Sequence, residues 1–87
     1  MTREQIFEVL KANMLKIVEG SRDVTISETA SMKDYGADSL EMVEVVSRSM
    51  KELKIKVQRT DLSTAKTLKD LLDLFEKAAA KAPVGPT

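Results

Sequence analysis

The sequence predicts an all-α fold: a four-helix bundle of three main helices and one short one, with a long loop between the first two. Three observations point there. Apolar residues recur at the 3.6-residue helical period in three separate stretches. Each stretch follows a side-chain cap signal, namely Thr2 with Gln5, Asp38 with Glu41, and Thr67 with Asp70. Little of the chain shows the two-residue alternation of a half-buried strand.

The elements follow in order. Behind the Thr2 cap, Ile6, Phe7, Leu10, Met14, Ile17 and Val18 share one side of a helical wheel. Helix 1 is therefore expected from about residue 3 to 18, with Gly20 as its stop. Residues 20–37 hold no sustained period, and Val24, Ile26, Met32 and Tyr35 are spaced like anchors of a loop lying over a core. Gly36 marks a turn. Helix 2 is expected to begin at about Ser39 and end near Leu53. Residues 54–59 read as a polar connector anchored by Ile55 and Val57, and residues 60–64 as one short helical turn. A last helix from about 68 to 80 carries the stripe Leu68, Leu71, Leu72, Phe75, Ala78 and Ala79.

A chain of 87 residues has the length of one small domain. Residues 1–81 are assigned to that domain. The tail at 82–87, Ala-Pro-Val-Gly-Pro-Thr, cannot continue the helix and is expected to be flexible. With three aromatics only (Phe7, Tyr35, Phe75), the core must be aliphatic.

The absences exclude whole classes of function. Without cysteine there is no disulfide, no zinc-thiolate site and no thiol nucleophile. Without histidine the usual metal ligand and general base near neutral pH is missing, so neither a metal site nor catalysis is expected. No apolar run approaches the ~18 residues of a membrane span, and Met1-Thr2-Arg3-Glu4 does not open a signal peptide. Fourteen bases balance fourteen acids, so no global basic field suggests nucleic acid. A carrier, adaptor or scaffold is the better expectation, and the protein is expected to be cytoplasmic and monomeric.

That balance hides an asymmetry. Residues 23–46 hold six acids (Asp23, Glu28, Asp34, Asp38, Glu41, Glu44) against Lys33. Residues 47–69 hold seven bases (Arg48, Lys51, Lys54, Lys56, Arg59, Lys66, Lys69) against Glu52 and Asp61. Such a distribution either forms two solvated faces or orients a charged partner.

Helix 2 carries the most information. Met42, Val45, Val46, Ser49 and Leu53 cluster on one side of its wheel, and Leu40, Val43, Ser47 and Met50 on another. One stripe suffices for a bundle core. The second, flanked by Glu41 and Glu44, either lies in a broad core or docks a partner. Ser39 stands in the first turn of this helix. Since Asp38 fits the cap, Ser39 is left to point outward, beside unsatisfied N–H groups and the positive end of the helix dipole. It would be a poor nucleophile by itself, with no histidine to activate it. It is well placed as an acceptor of phosphate chemistry performed by another enzyme.

At Gly36-Ala37-Asp38-Ser39-Leu40-Glu41 the chain resembles the acyl carrier protein family. The Asp-Ser-Leu triplet is common by itself. Here it opens a helix near mid-chain, after a long loop ending in Gly, with one amphipathic helix before it and a short and a final helix after it. The likeness covers residues 3–80. It implies a four-helix bundle in which Ser39 receives 4′-phosphopantetheine from coenzyme A, through a separate phosphopantetheinyl transferase that uses a divalent cation. The arm would bring the thiol that the chain lacks. Asp38 and Leu40 would flank the attachment point, Asp38 assisting the transferase complex. Leu40, Glu41, Val43, Glu44 and Ser47 match the family's partner-facing positions, on helix 2 as recognition helix.

The resemblance also has departures. Dedicated fatty-acid carriers stay acidic through helix 2, whereas this chain turns basic at Arg48, Lys51 and Lys54, and it has Val57-Gln58 where Ile-Pro is usual. The run from Ser49 to Leu62, with Ala65-Lys66 and Leu72-Asp73-Leu74-Phe75, is similar to discrete carriers of polyketide pathways. It is most similar to donor carriers of β-branching cassettes, which present acetyl or a related unit to a hydroxymethylglutaryl (HMG)-synthase-like enzyme. The implied partners are then a ketosynthase or HMG-synthase-like enzyme, an acyltransferase and other acyl-processing enzymes. The bases of residues 47–69, with Met50, would help select among them. Two alternatives stand beside this reading: a carrier of fatty-acid synthesis, and an unmodified helical adaptor using the same stripe.

Overall fold

The three long helices start where their cap signals stand. A computed structural model describes residues 2–81; the tail reading at 82–87 lies outside the described residues. Helix α1 spans Arg3–Ile17, α2 Ser39–Leu53, α3 Arg59–Leu62 and α4 Leu68–Lys81, with 3-10 turns at Glu19–Ser21 and Met32–Tyr35 between α1 and α2. No strand occurs among the described residues. At α1 the Thr2 hydroxyl accepts from the Gln5 N–H at 3.1 Å, and Gln5 Oε1 accepts from the Thr2 N–H at 2.8 Å. At α4 the Thr67 hydroxyl accepts from the Asp70 N–H, while Asp70 Oδ2 accepts from the N–H groups of Lys66 and Thr67. Such reciprocal caps satisfy amides that a helix start leaves without partners.

The core is aliphatic apart from Phe75. Ile6, Leu10 and Met14 of α1, Val45 of α2, and Leu68, Leu72 and Phe75 of α4 are fully buried. Each such apolar side chain contributes about 1.5–3 kcal/mol on burial, so the helices hold together by packing more than by propensity. α1 packs most extensively on α2 and also lies against α4. Between α1 and α2 sits one polar pair, Asn13 and Ser49, both fully buried. After α2, Leu53, Ile55 and Val57 are buried while Lys54 and Lys56 are exposed, so both expected anchors of the connector hold.

The long loop departs from expectation in two places. Val24 is exposed and anchors nothing, while Met32 is buried and Ile26 and Tyr35 are half-buried. Gly20 is not the stop of α1. The helix ends at Ile17 with Val18 extended as its cap, and the buried Ser21 hydroxyl lies 3.0 Å from the Met14 carbonyl oxygen and 2.7 Å from that of Val18. The Arg22 guanidinium donates to the Leu15 carbonyl. Gly20 is needed for a close approach instead: a Cβ there would run into the Tyr35 carbonyl oxygen. The far end of the loop lies along α4, where Leu68 and Lys69 donate their N–H groups to the carbonyls of Ala30 and Glu28.

Candidate functional site

The segment that delivers Ser39 is built by local bonds. Asp34 Oδ2 accepts from the Ser31 N–H at 2.9 Å and so steadies the second 3-10 turn. The Tyr35 hydroxyl accepts from the Ser27 N–H at 2.8 Å and ties the turn to the middle of the loop. Gly36 then takes φ 91°, a left-handed conformation that glycine adopts without steric cost. Its N–H bonds to the Lys33 carbonyl, and the Ala37 N–H to that of Met32. Ala37 turns inward and is buried, while Asp38, Ser39 and Leu40 face outward. The signal for this turn was present in the sequence as Ser31 three residues before Asp34, ahead of Gly36.

Asp38 is the cap of α2. Its Oδ1 accepts from the Glu41 N–H at 2.8 Å, and Glu41 Oε1 accepts from the Asp38 N–H at 3.1 Å. Ser39, the first helical residue, is therefore spared the capping role and is exposed. Its hydroxyl stands at the positive end of a 15-residue helix.

Beside it lies the outward face of α2. Leu40 is 81% exposed and Val43 57%, both too large and too apolar to be left in water without cost. Ser47 is exposed, Glu41 half-buried and Glu44 exposed. Glu44 pairs with Arg48 at 3.4 Å along the helix. Met50 stands apart from the other residues of the expected docking stripe. It is half-buried against the core, and its Sδ accepts from the Val57 N–H at 3.3 Å. The connector after α2 folds over that flank, which a wheel of α2 alone does not show. The core stripe is as expected, with Val45, Val46, Ser49 and Leu53 buried and Met42 half-buried.

The site is thus an open surface with the exposed Ser39 hydroxyl at one end. A shallow depression of about 240 Å³ near the start of α4 is lined by Thr64, Ala65, Asp70, Asp73 and Leu74, none of them a residue of this face. No group of three or more carboxylates placed to hold a metal occurs among the described residues.

The sequence model of the family described as "Phosphopantetheine attachment site" matches residues 12–75, most of the chain. The acyl carrier protein of Thermotoga maritima is 30% identical over 76 residues, covering 87% of this chain and 94% of that one. This chain is a member of the acyl carrier protein family. The carrier is also 27% identical over 78 residues to the polyketide biosynthesis acyl carrier protein AcpK of Bacillus subtilis, across 88% of its own length and 95% of the relative's. Among solved structures it resembles a chain in the crystal structure of the curacin biosynthetic pathway HMG synthase in complex with acetyl donor-ACP. That likeness has a TM-score of 0.78 and 32% identity, and covers 93% of the carrier and all of the matched chain.

The family's prosthetic group is 4′-phosphopantetheine. The start of α2 fits it. A phosphodiester needs an accessible hydroxyl, room for a bulky arm and a field that tolerates negative charge. Ser39 is exposed, Asp38 and Leu40 on either side are exposed, and the helix dipole presents its positive end there.

Proposed function

We propose that the carrier bears 4′-phosphopantetheine on Ser39 and serves a polyketide pathway, donating an acetyl or related unit to an HMG-synthase-like enzyme. The observation that carries the attachment site is the exposed Ser39 hydroxyl at the capped start of α2, beside the exposed Leu40 and Val43. In the attachment step Ser39 Oγ forms a bond to the pantetheine-bearing phosphorus of coenzyme A. The phosphoanhydride bond breaks, 3′,5′-adenosine bisphosphate leaves, and the hydroxyl proton passes to a base on the transferase. Asp38 holds the helix start in place, and its outward carboxylate assists the transferase complex. When bound, the group supplies a terminal thiol for carrying acyl units.

The chain's own part is then presentation, not catalysis. Leu40 and Val43 give partner enzymes an apolar contact next to the arm, with Glu41, Glu44 and Ser47 around it. Met50 contributes from the core edge, by fixing the connector. The same reading makes residues 1–81 one carrier domain, monomeric, working in the cytoplasm where coenzyme A is available. A ketosynthase and an acyltransferase are further partners of this kind. The donor role draws on the likeness to a carrier solved with an HMG synthase and on that to AcpK.

The test is intact-mass analysis of the apo protein after incubation with coenzyme A, magnesium and a broad-specificity transferase. One phosphopantetheine adduct is expected, absent in Ser39→Ala. An unmodified mass, or an adduct that survives in Ser39→Ala, would overturn the attachment site and leave the α2 face as that of an unmodified adaptor.

A further inference from the structure

The charged residues of α2 and the connector behind it are arranged in three zones. At the N-terminal end Asp38 and Glu41 are joined in the capping box, two carboxylates with no base between them. In the middle Glu44 and Arg48 form an ion pair and cancel. At the C-terminal end Lys51, Lys54, Lys56 and Arg59 are all exposed, and none has a carboxylate within ion-pair distance among the described residues. Leu40, Glu44, Ser47 and Lys51 follow the i, i+4, i+7, i+11 spacing of one helix face. The apolar contact, the neutral pair and the cationic end therefore lie along one line leading away from Ser39.

The separation matters. Glu41 and Lys51 are ten residues apart on one helix, or roughly 15 Å at 1.5 Å per residue. That exceeds the screening length of ~8 Å at physiological ionic strength. The two poles act as independent contacts, and a partner docked the wrong way round would set like charge against like at both ends. A helix prefers acids early and bases late for its own dipole, but that preference fades within the last turn. Here the cationic zone runs past the helix end. Lys54 is the left-handed C-cap, Lys56 faces out between the buried Ile55 and Val57, and Arg59 opens α3. Helix stability does not call for those last two charges.

Resting on the donor reading above, we infer that α2 and its connector form a two-pole docking surface that fixes the orientation of one class of partner. The occupant is an HMG-synthase-like enzyme whose surface is basic and apolar beside the entrance taken by the arm. That surface carries carboxylates roughly 15 Å farther along, where Lys51 and Lys54 arrive. An enzyme basic along the whole contact is repelled by the C-terminal pole.

The test uses the full-length carrier, loaded with the acetylated arm, and the curacin-pathway HMG synthase as probe, with that enzyme's own donor carrier as positive control. kcat/KM for acetyl transfer to the synthase is measured for the wild type, K51Q/K54Q and K51E/K54E. Circular dichroism and complete loading by mass establish that each is folded. Charge reversal is expected to lower kcat/KM about tenfold at low salt and neutralisation about threefold, the three proteins converging at ~0.5 M salt. Values within twofold of wild type at every salt concentration would overturn the two-pole surface and leave the donor role standing. Transfer from the control carrier but none from the wild type would overturn the donor role and the docking inference with it. A homodimer that dissociates in K51E/K54E would overturn the inference by making a second copy the occupant of this face.

Discussion

The buried pair between α1 and α2 yields a prediction whose sign is unusual for a core substitution. Asn13 Nδ2 donates to Ser49 Oγ at 3.0 Å, and both side chains are fully buried. Asn13 Oδ1 has no partner. Whichever way the amide is turned, Ser49 engages one of its two polar atoms and leaves the other without a partner. The hydrogen bond contributes roughly 1 kcal/mol net, while an orphaned buried acceptor costs roughly 1–3 kcal/mol. Replacing both partners with apolar groups of similar shape should remove a net penalty, since Leu keeps the branched outline of Asn and opens no cavity, its bulkier methyl groups offsetting part of the gain. Asn13→Leu/Ser49→Ala is therefore expected to be more stable than wild type by about 1 kcal/mol, raising Tm by roughly 4–8 °C in a domain of this size. Ser49→Ala alone strands the whole carboxamide and should cost about 1–3 kcal/mol. Thermal and urea unfolding followed by circular dichroism on wild type, both single variants and the double variant closes the cycle. A double variant less stable than wild type by about 1 kcal/mol or more would refute the reasoning.

Three more predictions concern the flank of α2, the approach at Gly20 and the cap of α4. Met50→Ala should destabilise the fold by roughly 1–3 kcal/mol through lost packing, whereas Leu40→Ala should stay within about 0.5 kcal/mol and weaken only partner docking; urea unfolding of the two separates them, and equal losses would contradict the exposure of Leu40. Gly20→Ala forces a Cβ against the Tyr35 carbonyl, so a drop in Tm is expected, with faster amide exchange at Ser27 as the Tyr35 hydroxyl contact loosens; an unchanged Tm would mean the approach is not tight. Asp70 is held below its usual range by the N–H groups of Lys66 and then Thr67, so its contribution is present above about pH 3.8 and lost as the pH falls. Asp70→Asn should accordingly be less stable than wild type at neutral pH, the gap closing in acid. A gap that persists unchanged in strong acid would count against the carboxylate.

How the sequence divides the work is clearest at the helix starts. Thr2 with Gln5, Asp38 with Glu41 and Thr67 with Asp70 each lie within one turn, so the bonds they make are decided locally and were legible as spacing. The core stripes of α1, α2 and α4 were legible for the same reason, since each is a periodicity along one helix. The exposed Ser39, with Asp38 taking the cap, was legible too.

The long loop and the edges of the outward face of α2 were not. Gly20 against Tyr35, Ser21 on the end of α1, and Asn13 with Ser49 all join residues with no fixed sequence spacing. Met50 belongs to the outward stripe on a wheel, yet it is half-buried because Ile55 and Val57 draw the connector back over it. Glu44 reads as a docking acid until Arg48 is found beside it. By itself, then, the sequence determined the helices, their inward faces and the exposed hydroxyl at the start of α2, because caps and periodicity act within a turn or two. Which surface stays open around that hydroxyl, and which charges remain there without a mate, was decided by tertiary structure alone, because burial and pairing depend on what the rest of the chain brings alongside.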